Sequence, residues 1–440
     1  MEEQQYPKDI NLQILADFIS SIRKYNSIET VKEIRSTFVK TVPGNAVLER
    51  FTRIIYSLPY VLNLTINSGT RRPDNLRESG IEKSMKESDY IYDIFELLDA
   101  MHSEKISEPM RYVLVKRYIK ANFDNIGTFY ELISKRWFPR IGLEMAMQYV
   151  DGIRTVPIRE SRKLTREILE NMDFRGYYMI PNPHKEKGYS RRMFMYFNCY
   201  GEVSFVGENN KRCNNMWPIV NSVAFSFKKN RIRNMVIEGT VFIPDADMNE
   251  DTSLPYHYSF SHPRMTIPPK ATFMMYDMYR ADEFFSGKTF MTYDQRYAML
   301  CEKMAEAVKP KNFIVAERHK IESTDWLVSH LRTDYPCDGY IIMSPNRMDS
   351  SMLQEYTVTK NRATVSITDA AVVDGKLVAK IAKKKYDTLL TGCHESVKRY
   401  LTENFTELIN KDVDIVHLGK SEKGYEMPML CQEQKDEGDA

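Results

Sequence analysis

The chain has 440 residues, 42% of them apolar and 28% charged, with a formal net charge of +2. Such a length holds about two to four domains with sizeable cores, and near-neutrality excludes a globally basic polymer, so any nucleic-acid contact must come from local clusters of Lys and Arg. No apolar run approaches the roughly 20 residues of a membrane span, and the six scattered cysteines, at 199, 213, 301, 337, 393 and 431, form no Cys-x-x-Cys, which argues against a disulfide framework or a zinc site.

The opening Met1-Glu-Glu-Gln-Gln-Tyr6 is acidic and polar, unlike a signal peptide. With the cysteine usage it predicts a cytoplasmic protein without membrane contact. Helical spacing of apolar residues follows in 11–22, 46–57, 89–101 and 108–121. Ser27 to Ile34 opens with a capping-type serine that lacks the usual Glu three residues on. Arg71-Arg-Pro-Asp-Asn75 reads as a loop. The period changes near Gly176. Strand patterns appear at 177–180, 192–197, 202–206, 235–243, 272–276, 312–316 and 340–343, with helices at 293–308 and 325–331. Asn198 to Gly201 reads as a hairpin connection. From Thr359 onward, strands at 363–369 and 376–381 flank the turn Asp374-Gly375, followed by a short helix at 396–401 and a strand at 413–418. The sequence thus predicts a multidomain α+β chain. An all-α domain spans 1–165, an α+β domain 170–357, an OB-like β-barrel 358–431 and a polar tail 432–440.

Several segments in this order match one known family. Ile237-Glu-Gly-Thr240 corresponds to a strand ending in Asp-Gly-Glu. Phe273-Met-Met-Tyr-Asp277 corresponds to Phe-x-x-Phe-Asp, and Tyr293-Asp-Gln-Arg296 to the start of a helix near an Arg. Asp338-Gly-Tyr-Ile-Ile342 stands for Glu-Gly before an apolar strand, and Tyr356-Thr-Val-Thr-Lys360 for a Lys-x-Lys pair. On these segments and their order, the chain resembles ATP-dependent DNA ligases of the tailed-phage type. The resemblance implies a helical DNA-binding domain, a nucleotidyltransferase domain and an OB-like barrel. It also implies a viral protein, found in host cytoplasm or virion, that works in DNA replication, repair or transcription.

The departures bear on chemistry. A ligase attacks the α-phosphate of ATP with the lysine of a Lys-x-Asp-Gly turn. Here Pro181 to Arg191 offers Lys185-Glu-Lys-Gly188, with no Asp after the lysine, so Lys185 is the nucleophile only if the chain is active. Tyr149-Val-Asp-Gly-Ile-Arg154 has Tyr in the lysine position and reads as interdomain linker. Thr240 removes a carboxylate, Ser204-Phe-Val-Gly207 lacks a basic contact, and Thr357 and Thr359 replace the paired lysines, leaving Lys360 displaced by one. Glu426, Gln432 and Gln434 stand where basic residues would clamp phosphates. Phosphoryl transfer depends on such charges. The expectation is therefore a vestigial pocket at Glu238, Asp338 and Lys360, with no cofactor. DNA contact is expected from Arg111, Lys116, Arg117, Lys120, Lys135 and Arg136, which could neutralise phosphates. Two alternatives stand beside it. One is an active, divergent ligase using ATP and Mg²⁺. The other is a non-enzymatic subunit that binds viral replication or transcription proteins.

Overall fold

The structure, a computed structural model, describes residues 8–23, 30–57, 85–86, 90–102, 106, 108–134, 141–157, 161–182, 190–198, 201, 203–207, 232–242, 271–306, 312–331, 339–345, 355–391, 393–422 and 424–431. The chain divides into two compact units, Met1–Pro157 with Phe197–Glu202, and Ile158–Tyr196 with Val203–Ala440. No helix among the described residues is long and apolar enough to cross a membrane.

The first unit is helical. Its helices run Ile10–Arg23, Thr30–Thr41, Ala46–Tyr56, Ile94–His102, Glu108–Ala121, Ile126–Ser134 and Leu143–Tyr149. Apolar residues at helical spacing, such as Leu12, Leu15, Phe51, Leu98, Tyr118 and Phe129, meet in one core. A buried acid organises the helix starts. Asp9 caps the first helix by accepting from Asn11 N and Leu12 N at 2.8 and 3.2 Å. It also accepts from Ile94 N at 2.5 Å and from the Tyr118 hydroxyl at 2.6 Å. Burial first, and then this carboxylate, push the Tyr118 phenol well above its ordinary range. Helix Glu108–Ala121 buries Val113, Leu114, Val115, Lys116, Tyr118 and Ile119. Its buried residues fall on all sides although it carries Arg111, Lys116, Arg117 and Lys120, as befits a central helix.

The second unit carries the sheets. Its first ten strands are β1 (Ser161–Lys163), β2 (Tyr178–Pro181), β3 (Ser190–Phe197), β4 (Val203–Gly207), β5 (Met235–Phe242), β6 (Thr272–Arg280), β7 (Phe313–Val315), β8 (His319–Lys320), β9 (Gly339–Met343) and β10 (Glu355–Thr359). They form two five-stranded sheets, β1-β10-β9-β2-β8 and β4-β3-β5-β6-β7. The two-residue alternation of strands sorts the side chains. Tyr178, Ile180, Ile341 and Met343 pack against Met274 and Tyr276 of the other sheet. Met179, Ile342, Tyr356 and Val358 join a second core with Leu169, Leu327 and Leu331. Two glycines permit close approach. A Cβ at Gly239 would lie 2.4 Å from the Met274 carbonyl oxygen, and one at Gly339 would lie 2.3 Å from that of Val358.

The remaining strands are β11 (Asn361–Val373), β12 (Lys376–Ile381), β13 (Lys384–Tyr386), β14 (Asp412–His417), β15 (Gly419–Ser421), β16 (Gly424–Glu426) and β17 (Met429–Leu430). They form a sheet ordered β13-β12-β11-β14-β17 and a ribbon of β15 with β16. Val365, Ile367, Leu377, Ala379, Leu389 and Ile415 fill its core. The fold is thus mixed α+β with several sheets. Among the described residues the C-terminal sheet is open, with β13 and β17 at its edges rather than paired as a closed barrel.

Candidate functional site

The chemistry-bearing cluster sits where the two facing sheets meet. It begins at a bulge in the β5–β6 ladder, where the register shifts between Glu238 and Gly239, and Glu238 pairs directly with Asp277. Both acids are 0% exposed. Alternating burial gives no reason for two carboxyls to face each other on adjacent strands, and such a pair is repulsive unless it is compensated.

Compensation comes from two arginines and a tyrosine. Arg192, near the start of β3, donates from Nε to Glu238 Oε1 at 2.8 Å, and its Nη2 contacts the same oxygen. The same guanidinium reaches the other sheet, with Nη1 donating to Glu355 Oε1 at 3.0 Å and Nη2 lying 3.0 Å from Glu355 Oε2. Tyr279 lies two residues beyond Asp277 on β6. Its hydroxyl is 3.0 Å from Glu238 Oε2 and also contacts Asp277 Oδ2. Arg296, on helix Tyr293–Glu306, grips Asp277 with a two-pronged pair, Nε to Oδ1 at 2.9 Å and Nη2 to Oδ2 at 3.0 Å. Its Nη1 donates to the Met291 carbonyl at 2.7 Å, and Met278 N donates to Asp277 Oδ1 at 2.8 Å. The result is one continuous chain, Glu355–Arg192–Glu238–Tyr279–Asp277–Arg296.

The residues expected from sequence fall differently. Glu238 lies in this chain, with Oε1 engaged by Arg192 and Oε2 by Tyr279. Lys185 and Asp338 lie outside the described residues, as do Lys135 and Arg136. Asn182 N, just before the Lys185 segment, donates to the Gly339 carbonyl at 2.9 Å, so the chain positions flanking that segment and Asp338 are neighbours. Glu355 pairs with Met343, at the other end of β9 from Gly339, about 13 Å along the strand. Lys360 Nζ lies 5.0 Å from the centre of the Tyr340 ring. Thr240 is 2% exposed, within the sheet.

In the helical unit, Lys116 is 3% exposed, so the expected basic face loses this residue to the interior. The physical reason is the central position of its helix, whose buried residues lie on all sides of it. Arg111 and Arg117 are half-buried, Arg111 donating to the Ile106 carbonyl at 3.1 Å and Arg117 lying over the Tyr90 ring at 4.6 Å. Lys120 is half-buried. The Tyr149 to Arg154 segment forms a turn in this unit, with Gly152 at φ +79 and Arg154 N donating to Ser57 Oγ at 2.9 Å.

Sequence reasoning missed Arg192, Tyr279 and Glu355. A lone Arg at a strand start carries no motif, and Tyr279 reads as an ordinary apolar strand position. The cluster's carboxyl groups are taken up by arginine and tyrosine, and no group of three or more described His, Cys, Asp or Glu residues is placed to hold a metal ion.

No protein-family model and no curated protein matches the chain. Among solved structures it is similar to Pmar-Lig_PreS3, at 12% identity and TM-score 0.38 over 94% of this chain and 98% of that one. It is also similar to the ATP-dependent DNA ligase of bacteriophage T7 in complex with ATP, at 12% identity and TM-score 0.36 over 62% of this chain and 96% of that one. The Chlorella virus DNA ligase-adenylate is similar at 12% identity and TM-score 0.35, over 62% of this chain and 98% of that one.

Proposed function

We propose that the chain is a ligase-like scaffold that binds duplex or nicked DNA and does not join it. The ordered motif-like segments support the scaffold reading. All but Tyr293–Arg296, which opens a helix, fall on the facing sheets, with Gly239 and Gly339 at points of close backbone packing. The observation that carries the non-catalytic reading is the state of Glu238. Its carboxyl is fully buried and engaged on both oxygens, Oε1 by Arg192 and Oε2 by Tyr279, which sets it inside the protein network rather than at an open pocket. The cationic positions that would stabilise a transferring phosphate are Thr357 and Thr359, both half-buried in β10. Without such charge stabilisation, phosphoryl transfer loses orders of magnitude in rate.

A basic hairpin in the C-terminal sheet, which we take to be an OB-like module, supports the DNA reading. Lys380 on β12 pairs directly with Lys385 on β13. The connecting turn holds Ala382 and Lys383 at φ 47 and 67, a left-handed conformation that usually calls for Asn-Gly. Lys376, Lys383 and Lys385 are exposed. Like charges placed opposite each other destabilise a ladder. A phosphate backbone would relieve that repulsion. The half-buried Arg111, Arg117 and Lys120 of the helical unit are a second set of cations for the same partner.

The test is incubation of the full chain with labelled ATP and Mg²⁺, followed by denaturing electrophoresis and by a nick-sealing assay. The expected result is neither a protein–AMP adduct nor a sealed strand. An adduct that disappears in Lys185→Ala would establish the active-ligase alternative instead. Absence of both the adduct and DNA affinity would favour a protein-interaction role.

A further inference from the structure

Strand alternation gives the sheet that holds β9 and β10 two faces with different neighbours. Ile341 and Met343 look toward the other sheet and pack with its Met274 and Tyr276. Ile342, Tyr356 and Val358 look the opposite way, into the core that also holds Met179 and Leu327. Glu355 is the direct partner of Met343 on the ladder, so it shares the face that looks toward the other sheet. A buried carboxylate there is costly without a cation, and Arg192 of β3, in the opposing sheet, supplies one.

The shape of arginine suits this double contact. Nε donates to Glu238 Oε1, in its own sheet, at 2.8 Å. Across the gap, Nη1 donates to Glu355 Oε1 at 3.0 Å and Nη2 lies 3.0 Å from Glu355 Oε2. Five donors in one plane let a single guanidinium hold two carboxylates in fixed directions, whereas a lysine offers one mobile point charge. Glu238 thus ties the guanidinium to β5, and the tied guanidinium reaches β10. The buried pair Arg296–Asp277 has a different reach, from a helix to its neighbouring strand β6.

We infer that Arg192 is a latch that holds the two facing sheets shut over their shared core, and that releasing it opens this region locally, ahead of global unfolding. Parting the sheets leaves the hydrogen bonds within each ladder intact, but it must break the two charge-assisted contacts to Glu355. The apolar contacts around Met343 are non-directional, so the fork fixes the spacing of the sheets where apolar contact alone does not. Openings of this kind lie below the free energy of global unfolding.

Methionine oxidation by hydrogen peroxide, read by mass spectrometry on the full chain, separates local opening from general loss of stability. Met343 is buried between the sheets, and Met179 is buried on the opposite face of the same sheet. Global unfolding exposes both, whereas parting the sheets exposes Met343 alone. Glu355→Gln removes the cross-sheet charge and leaves Arg192 bound to Glu238. Arg192→Lys keeps a cation and loses the fork. Each variant should raise the oxidation rate of Met343 about tenfold, as for the loss of one charge-assisted hydrogen bond, with that of Met179 unchanged. If Arg192→Lys does not fold, Glu355→Gln still decides the matter. The latch is overturned if Met343 of the wild type oxidises as fast as the exposed Met147. It is equally overturned if Glu355→Gln leaves Met343 at the wild-type rate, or speeds Met179 as much as Met343.

Discussion

Arg296→Met perturbs the buried cluster most sharply. Arg296 is 1% exposed and Asp277 is 0% exposed. The guanidinium binds both carboxylate oxygens, at 2.9 and 3.0 Å, and also closes the loop before its own helix through Met291 O at 2.7 Å. Methionine keeps much of the aliphatic volume, so the loss is chiefly electrostatic. Removing one partner of a buried pair strands the other charge, at a cost of about 3–5 kcal/mol. Met278 N and Tyr279 still donate to Asp277, which offsets part of this, so a loss of about 3 kcal/mol is expected. Adding Asp277→Asn removes the stranded charge while keeping an acceptor for Met278 N, and the double variant should recover at least about 1.5 kcal/mol. Urea unfolding followed by far-ultraviolet circular dichroism measures both, reading the transition that responds to the substitution. The reasoning fails if Arg296→Met costs less than about 1 kcal/mol, or if the double variant is no more stable than the single one.

Asp294 accepts from the Tyr178 hydroxyl at 2.5 Å and from Arg318 at 2.6 Å, and these partners hold its carboxyl below the usual range. Its contribution is therefore present above about pH 4 and lost as pH falls further, so Asp294→Asn should flatten the acid limb of stability in urea midpoints taken between about pH 5 and pH 3. Burial first, and then the Asp294 carboxylate, raise the Tyr178 phenol to about 12 against the opposing pull of Arg318, and an ultraviolet titration should find it lower in Asp294→Asn. Gly239→Ala places a methyl 2.4 Å from the Met274 carbonyl oxygen and 2.7 Å from the Phe273 ring, which should cost about 2–3 kcal/mol by chemical denaturation. Lys380→Ala with Lys385→Ala should flatten the slope of log affinity against log salt for nicked duplex by up to about two units, measured by anisotropy. An unchanged slope would remove that hairpin from the DNA interface.

Much of the fold was legible because its periodicities are local. Helix Glu108–Ala121, strand β12 and the Asp374-Gly375 turn fall where apolar spacing and turn chemistry place them. Helices Leu143–Tyr149, Arg166–Asn171 and Ala281–Ser286 are too short to show a period, and β1 and β8 have only three and two residues. The site was legible in part. Glu238, Asp277 and Arg296 stand in motif-like segments, whereas Arg192 and Glu355 meet only because two sheets face each other. Lys116 misled because a lysine on a central helix has the same sequence spacing as one on a solvated face. Burial decides between them, and burial is set by the other helices.

Several positions in the family-like segments help hold the second unit together, and this bears on whether activity is one substitution away. Gly239 and Gly339 allow backbones to approach, and Asp277 with Arg296 anchors a helix to β6. Each has a packing reason to persist that requires no chemistry. Thr240→Glu restores the acidic residue at the end of the Asp-Gly-Glu-like strand. Thr240 is 2% exposed and pairs with Met274 inside the ladder, with Phe273 and Val241 alongside. A carboxylate there enters low dielectric beside a network whose arginines already bind Glu238, Glu355 and Asp277. Such a group costs several kcal/mol or takes up a proton instead. Thr240→Glu should therefore lose about 3 kcal/mol of stability and still form no protein–AMP adduct with labelled ATP and Mg²⁺. A variant of wild-type stability that acquires the label would mean that the strand end opens onto a usable nucleotide site, and that a single side chain had silenced it.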